Sequence, residues 1–196
     1  MPALPLIDAE PPERADAARN RRAVLDAAAH LFATQNPSCV TMEAVAAAAG
    51  VGKGTVFRRF GDRASLARAV LSEQEGALQE AMIRGEPPLG PGAPARERLA
   101  AFGAAYLTFL EDHAALLMAA EGTQSARLAS SVYALYRTHL AMLLREADCG
   151  DDAPYLADIL LAPLAAPTFK YHREQRGLSL PECVASYEDL VARLVD

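Results

Sequence analysis

Nothing in this sequence stays apolar for long enough to cross a membrane. Its longest apolar run, AAFGAAYLTFL, is about 11 residues, against the ~20 that a spanning helix needs. The opening residues, MPALPLIDAEPPE, carry no basic stretch ahead of an apolar one. No signal peptide is expected, and a cytoplasmic location is. Cysteine is scarce: Cys39, Cys149 and Cys183 are odd in number and share no C-x-x-C spacing. They read as free thiols in a reducing compartment, not as a disulfide or zinc framework. His30, His113, His139 and His172 lack the H-x-x-x-H or His/Cys spacing of a metal site, so neither metal nor cofactor is expected. No G-x-S-x-G elbow or other acid–base or nucleophile motif is present, which argues against an enzyme. Strand-like alternation with β-branched residues is missing too, so no sheet is expected.

What is present is alanine and leucine in quantity, with 52% hydrophobic and 22% charged residues. That balance describes a globular, helical chain. The net charge of −6 speaks against a nucleic-acid binder until its distribution is considered. Residues 14–63 carry +4, residues 64–196 carry −7 and the first 13 residues carry −3. A small basic unit is thus joined to a larger acidic one, and only one end is suited to a polyanion.

The first 13 residues hold four prolines and are expected to form a flexible tail. Val24, Leu25, Ala28, Leu31 and Phe32 then follow a 3.6 period, predicting a helix over about 14–34. Thr41 has N-cap chemistry with Glu43 in the first turn, opening a short helix to about Ala48. Another short helix is predicted over 53–60, burying Val56 and Phe60, and a longer one over 63–84 behind an Asp62 cap. The segment GEPPLGPGAP (85–94) reads as a loop or linker. Beyond it, helices are predicted over about 96–111, 113–121, 125–147, 152–176 and 180–195. Pro163 and Pro167 predict either a kink or two shorter helices within 152–176.

The stretch AAAAGVGKGTVFRRFGDR (46–63) resembles a phosphate-holding loop. A nucleotide P-loop requires G-x-x-x-x-G-K-[ST] between a strand and a helix. Here Ala47 stands where the first glycine belongs, Gly54 where a hydroxyl belongs, and an alanine-rich helix where the strand belongs. A helix-turn-helix fits instead: short helix, tight turn at Gly50, Val51 plugging the gap, second short helix. The small Ala46 and Ala49 allow close helix approach. The phosphates are then those of DNA.

From about Arg21 to Leu71, in RRAVLDAAAHLFA and TMEAVAAAAGVGKGTVFRRFGDRASLARAVL, the sequence resembles the TetR family of bacterial transcriptional repressors. The family pattern runs close to T-hydrophobic-x-x-[IV]-A-x-x-A-G-V-[ST]-x-G-[ST]-[LIV]-[YF]-x-[HY]-F-x-x-[KR]-x-x-L, and it covers about a quarter of this chain. The resemblance implies an all-α protein. Residues 14–62 would form a three-helix DNA-binding domain and residues 63–196 a helical ligand-binding and dimerisation domain. Thr41 and Arg63 would meet backbone phosphates, and the helix carrying Gly52, Lys53, Gly54, Thr55, Phe57, Arg58 and Arg59 would meet base edges and phosphates. Two positions depart from the pattern: Gly52 replaces a Ser/Thr hydroxyl, and Phe57 replaces a tyrosine. Arg58 and Arg59 are expected to compensate with guanidinium contacts, at least one of them to guanine. Arg14, Arg19, Arg21 and Arg22 read as ordinary surface charge or as an approach to a phosphate.

In the larger part, Phe102, Tyr106, Phe109, His113, Met118, Tyr133, Tyr136, His139 and Phe169 read as plain core. The resemblance makes them candidates to line an effector cavity instead, with polar tips at Tyr106, Tyr133 and His139. Their character implies an uncharged or weakly polar aromatic or lipid-like effector, linked to the DNA-binding unit through helix 63–84. One short recognition helix reads too few base pairs alone, so a homodimer on a palindromic double-stranded operator is expected. The candidate intersubunit bundle uses Leu156, Ile159, Leu160, Leu164, Val184, Tyr187, Leu190, Val191 and Leu194. Two rival readings remain at this point: a helical enzyme with an incidental helix-turn-helix, and an architectural protein that binds DNA without sequence preference or ligand.

Overall fold

A computed structural model describes residues 12–121 and 124–195. All regular structure among them is helical: α1 (Pro12–Thr34), α2 (Met42–Ala48), α3 (Lys53–Phe60), α4 (Arg63–Arg84), α5 (Ala95–Glu121), α6 (Gln124–Leu128), α7 (Ser131–Glu146), α8 (Ala153–Leu161), α9 (Ala166–Lys170) and α10 (Leu180–Val195). A single π turn, Tyr171–Gln175, continues α9. No described helix is long and apolar enough to cross a membrane. The tail expected over 1–13 lies outside the described residues as far as residue 11. Pro12 and Glu13 belong to α1 instead, because proline's fixed φ suits a helix's first turn.

The chain divides into two compact units, at Val70 and Leu71, within α4. The sequence reading placed this division before Arg63; the buried Leu66, Ala67 and Val70 carry the first unit into α4. In that unit α2 packs on both α1 and α3. The stripe Val24, Leu25, Ala28 and Phe32 is buried as its 3.6 period predicts, with Val45, Ala46, Val56 and Phe60 completing the core.

In the second unit α5 is central, packing on α7, α9 and α10, while α7 packs on α8. Leu99, Phe102 and Leu110 of α5, Leu140, Leu143 and Leu144 of α7, and Leu160 and Leu164 are fully buried. Gly103 permits the closest approach. A Cβ there would lie 2.7 Å from Tyr187 Cζ and closer still to Cδ1 and Cε1, so the ring of α10 lies directly on the α5 backbone.

Three helix boundaries differ from the sequence reading. The helices expected over 96–111 and 113–121 are one, since Asp112 alone does not break a helix. The helix expected over 125–147 is two, because Ser130 caps α7: the Tyr133 N–H donates to Ser130 Oγ at 3.1 Å. Over 152–176, Pro163 follows the end of α8 and Pro167 occupies the first turn of α9. Of the two alternatives, the separate helices are what forms.

Candidate nucleic-acid interface

Thr41 opens α2 as its N-cap, and the Ala44 N–H donates to Thr41 Oγ1 at 3.1 Å. The bond uses an oxygen lone pair and leaves the exposed hydroxyl's proton for an outside acceptor. Gly50 ends the helix at φ +67°. The Val51 N–H donates to Ala46 O at 3.0 Å and the Gly50 N–H to Ala47 O at 3.3 Å, the paired bonds of a Schellman turn. Gly52 then caps α3 in extended conformation, offering no side chain.

Which residues α3 presents outward follows from its core. Each residue turns the helix by about 100°, and Val56 and Phe60 are buried. Gly54 and Arg58 therefore centre the opposite face. Thr55 flanks it, Phe57 and Arg59 lie at matching angles on either side of the buried stripe, and Lys53 lies nearest that stripe. Phe57 is 39% exposed.

The side chains bear this geometry out. Arg59 Nη1, expected to reach a base, donates in the free chain to Ala17 O of α1 at 2.8 Å. Lys53 pairs with Glu43 of α2 and sits 5.5 Å above the Phe57 ring. Hydrogen bonding to Lys53 holds the Glu43 carboxyl below its ordinary value. Arg63 Nη1 donates to Ser38 O at 2.5 Å, tying the start of α4 to the loop after α1. Around α1, Arg19 pairs with Asp16, Arg22 with Asp26, and Arg21 lies over the Phe60 ring at 5.6 Å. These have the bonds of ordinary surface charge; the side chain of Arg14 lies outside the described residues. Arg58 is exposed and has no ion pair or hydrogen bond among the described residues.

Gly54 has no internal reason to be glycine. A Cβ added there meets nothing within 4 Å, and glycine inside a helix costs about 0.5–1 kcal/mol relative to alanine. The space it leaves is on the outward face, where another molecule's backbone can approach. Gly54→Ala is therefore expected to stabilise the free protein by about 0.5–1 kcal/mol while weakening its binding to DNA. Urea unfolding and DNA titration of the same preparation check the opposite signs.

In the second unit the nine candidate cavity residues differ in their surroundings. Phe102, Tyr106, Phe109 and Tyr136 are buried with ring centroids 5.4–5.9 Å apart, the range of mutual aromatic contact. Phe169 is buried as well, and His113 lies 4.8 Å from Phe109. Met118 is 40% exposed. Tyr133 is on the α8 side of α7, where its hydroxyl donates to Asp158 Oδ1 at 2.7 Å. Burial, then that bond, pushes the phenol up to about 12. Among the described residues the rings of Phe102, Tyr106, Phe109 and Tyr136 therefore contact one another, as the plain-core reading expects. Sequence reasoning missed Arg127, whose buried guanidinium donates to Leu161 O at 3.1 Å and stacks 5.0 Å over Tyr133. A single arginine in a short polar segment gives no sign of such burial.

His139 sits 6.4 Å from Phe102 with Nε2 buried and unpaired. Burial first, and then the Arg98 charge, lowers its pKa to about 4. The unfolded chain has the ordinary value near 6.5 and so binds a proton at pH 4–6.5 that the folded chain refuses. Stability contributed above pH 6.5 is lost as pH falls toward 4, by roughly 2 kcal/mol once partial exposure is allowed for. His139→Leu should flatten this part of the stability–pH curve relative to wild type, as measured by urea unfolding at each pH.

A cavity of about 260 Å³ opens elsewhere, between Leu107 of α5, Pro163–Leu164, the π turn and α10. None of the nine candidates lines it. The candidate dimer residues are divided as well. Leu160, Leu164, Tyr187 and Val191 are buried within the chain and are unavailable to a partner, because α8 and α10 use those faces on their own unit. Leu156, Val184, Leu190 and Leu194 are half-buried, and Ile159 is 38% exposed. Tyr155, which sequence reasoning passed over, is 66% exposed and four residues from Ile159 on the outward face of α8. Among the described residues no group of three or more His, Cys, Asp or Glu side chains gathers as metal ligands would.

Residues 24–70 match the model of the bacterial regulatory proteins of the tetR family. The HTH-type transcriptional repressor LfrR of Mycolicibacterium smegmatis is 38% identical over 81 residues, 41% of this chain and 42% of the relative. The match thus spans less than half of that relative's length. A TetR-like transcriptional regulator from Rhodococcus sp. RHA1 superposes with a TM-score of 0.63 at 21% identity, over 89% of this chain and 94% of its own. NalD of Pseudomonas aeruginosa does so with a TM-score of 0.59 at 20% identity, over 91% and 97%. At these identities the structures establish the fold.

Proposed function

We propose that this chain is a member of the TetR family of bacterial regulatory proteins and a homodimeric transcriptional repressor, not an enzyme. Its two α3 helices would read the half-sites of a palindromic double-stranded operator in the cytoplasm. The observation that carries this reading is the outward face of α3. Among the described residues nothing fills the gap that Gly54 leaves, and Arg58 beside it has no partner. A helix whose exposed face joins an open backbone to an unpaired guanidinium is suited to close approach in a major groove.

Repression follows the sense of the relatives' names. LfrR is named a repressor, and NalD is described as the secondary repressor of a multidrug efflux pump. A small effector would release DNA by binding better to the conformation that cannot hold it. The covalent path for that coupling is α4, a single helix whose residues to Val70 belong to the first unit and from Leu71 to the second. Pairing of protomers would use the outward face of α8, with Tyr155 and Ile159, together with the half-buried Val184, Leu190 and Leu194 of α10.

Transcript profiles with and without the protein test the reading. Genes beside its binding sites are expected to rise when it is deleted. A fall would make it an activator, and no change at bound sites would favour the architectural rival.

A further inference from the structure

From the cavity between α5, the π turn and α10, we infer a binding site for a small monocarboxylate with an apolar body. The cavity holds about 260 Å³, enough for roughly ten to fifteen non-hydrogen atoms at interior packing density. Its walls are mostly apolar: Leu107, Leu164, Leu178 and Leu190. Its polar lining is Arg176, His172, Tyr187, Cys183 and Ser186, whose hydroxyl already donates to Glu182 O, and no carboxylate lines it. An apolar wall carrying a few convergent donors is the ordinary form of a ligand site.

Two of these groups lack partners. Tyr187 is 3% exposed, and its phenol oxygen has no hydrogen bond among the described residues. A buried hydroxyl left unmatched is destabilising, so a ligand oxygen that accepts from it recovers free energy the apo fold lacks. Burial pushes the phenol well above its ordinary value, keeping it protonated as a donor. The Arg176 side chain has no ion pair or hydrogen bond among the described residues. The neighbouring Arg173, by contrast, is committed. It donates to both Glu111 carboxylate oxygens, at 2.9 and 2.5 Å, and to Leu178 O at 2.5 Å. Glu111 is thereby paired and the turn clamped to α5, while Glu174 within the turn pairs with Lys170. The turn itself closes through Arg176 N–H to Tyr171 O at 3.1 Å. Such single π turns recur at functional sites, and this one presents His172 and Arg176, four residues apart, to the same cavity.

The site stands on this geometry and not on the DNA-binding reading, so it is tested without DNA. Titration of the purified full chain with sodium octanoate, followed by calorimetry, is expected to show saturable binding, with octanol and octylamine at least tenfold weaker. Arg176→Gln is expected to weaken octanoate at least tenfold. Tyr187→Phe keeps the ring on Gly103 and removes only the unpaired hydroxyl. It should raise the melting temperature of the apo protein and weaken octanoate severalfold. A purely structural Tyr187 would give the first effect without the second. Absence of octanoate binding, equal binding of octanol, or wild-type affinity in Arg176→Gln would each overturn the site.

Discussion

Arg58→Ala is expected to weaken operator binding by about 1–3 kcal/mol for each half-site, the range for loss of a bidentate base contact. A dimer loses the contact twice. The expectation follows from position. Arg58 is centred opposite the buried Val56 and Phe60, on the face that a groove would meet, and no ion pair has to be broken for it to reach a base. Arg59→Ala is expected to act differently. It removes the bond to Ala17 O, so its effect should appear as a looser α1–α3 contact and a lower unfolding midpoint, with sequence preference kept. Lys53→Ala removes a charge already paired with Glu43. Its loss should weaken all sequences alike and make the fall of affinity with salt less steep. Anisotropy titrations on an operator and a scrambled duplex at several salt concentrations separate these cases. If Arg58→Ala changes neither affinity nor preference, the outward face of α3 is solvated surface.

Gly103→Ala is expected to destabilise the second unit by about 3 kcal/mol, the upper part of the range for overpacking a core. The new methyl would overlap the Tyr187 ring. That ring cannot swing out, because it is 3% exposed and sits on the helix that makes one of the main contacts with α5. Either α10 lifts from α5 or the ring adopts a strained rotamer. Replacing the ring should relieve the clash, so Gly103→Ala with Tyr187→Leu is expected to cost less than the sum of the two single changes. Two residues in contact couple in this way. Chemical unfolding followed by circular dichroism measures all three variants. A change within 0.5 kcal/mol for Gly103→Ala would mean that α10 does not lie on α5 as described.

The first unit was legible in the sequence because its signals are local. The Thr41 cap, the Gly50 turn and the Val56/Phe60 stripe each act within a few residues, and all four helices of the region begin and end within about two residues of expectation. What the pattern did not resolve was the division of labour between Arg58 and Arg59. The helical wheel places Arg59 beside the buried stripe, but its partner, the Ala17 carbonyl, belongs to another helix. In the second unit the signals are tertiary. The Ser130 cap was hidden in an apolar periodicity that runs on through it. The aromatic residues share helix faces, and shared faces are equally consistent with lining a cavity and with filling one. Leu160, Leu164, Tyr187 and Val191 looked suited to a partner because apolar stripes are alike whichever chain covers them. The cavity beside the π turn depends on residues from four segments, and no single stretch announces it.

The central claim is that α3 reads a DNA sequence as one of a pair. Selection of bound fragments from genomic DNA with the purified chain tests it most directly. The account predicts enrichment of a short sequence made of two half-sites related by a dyad, with the preference relaxed in each half when Arg58→Ala is used. Fragments retained in proportion to their length, with no shared sequence, would contradict it.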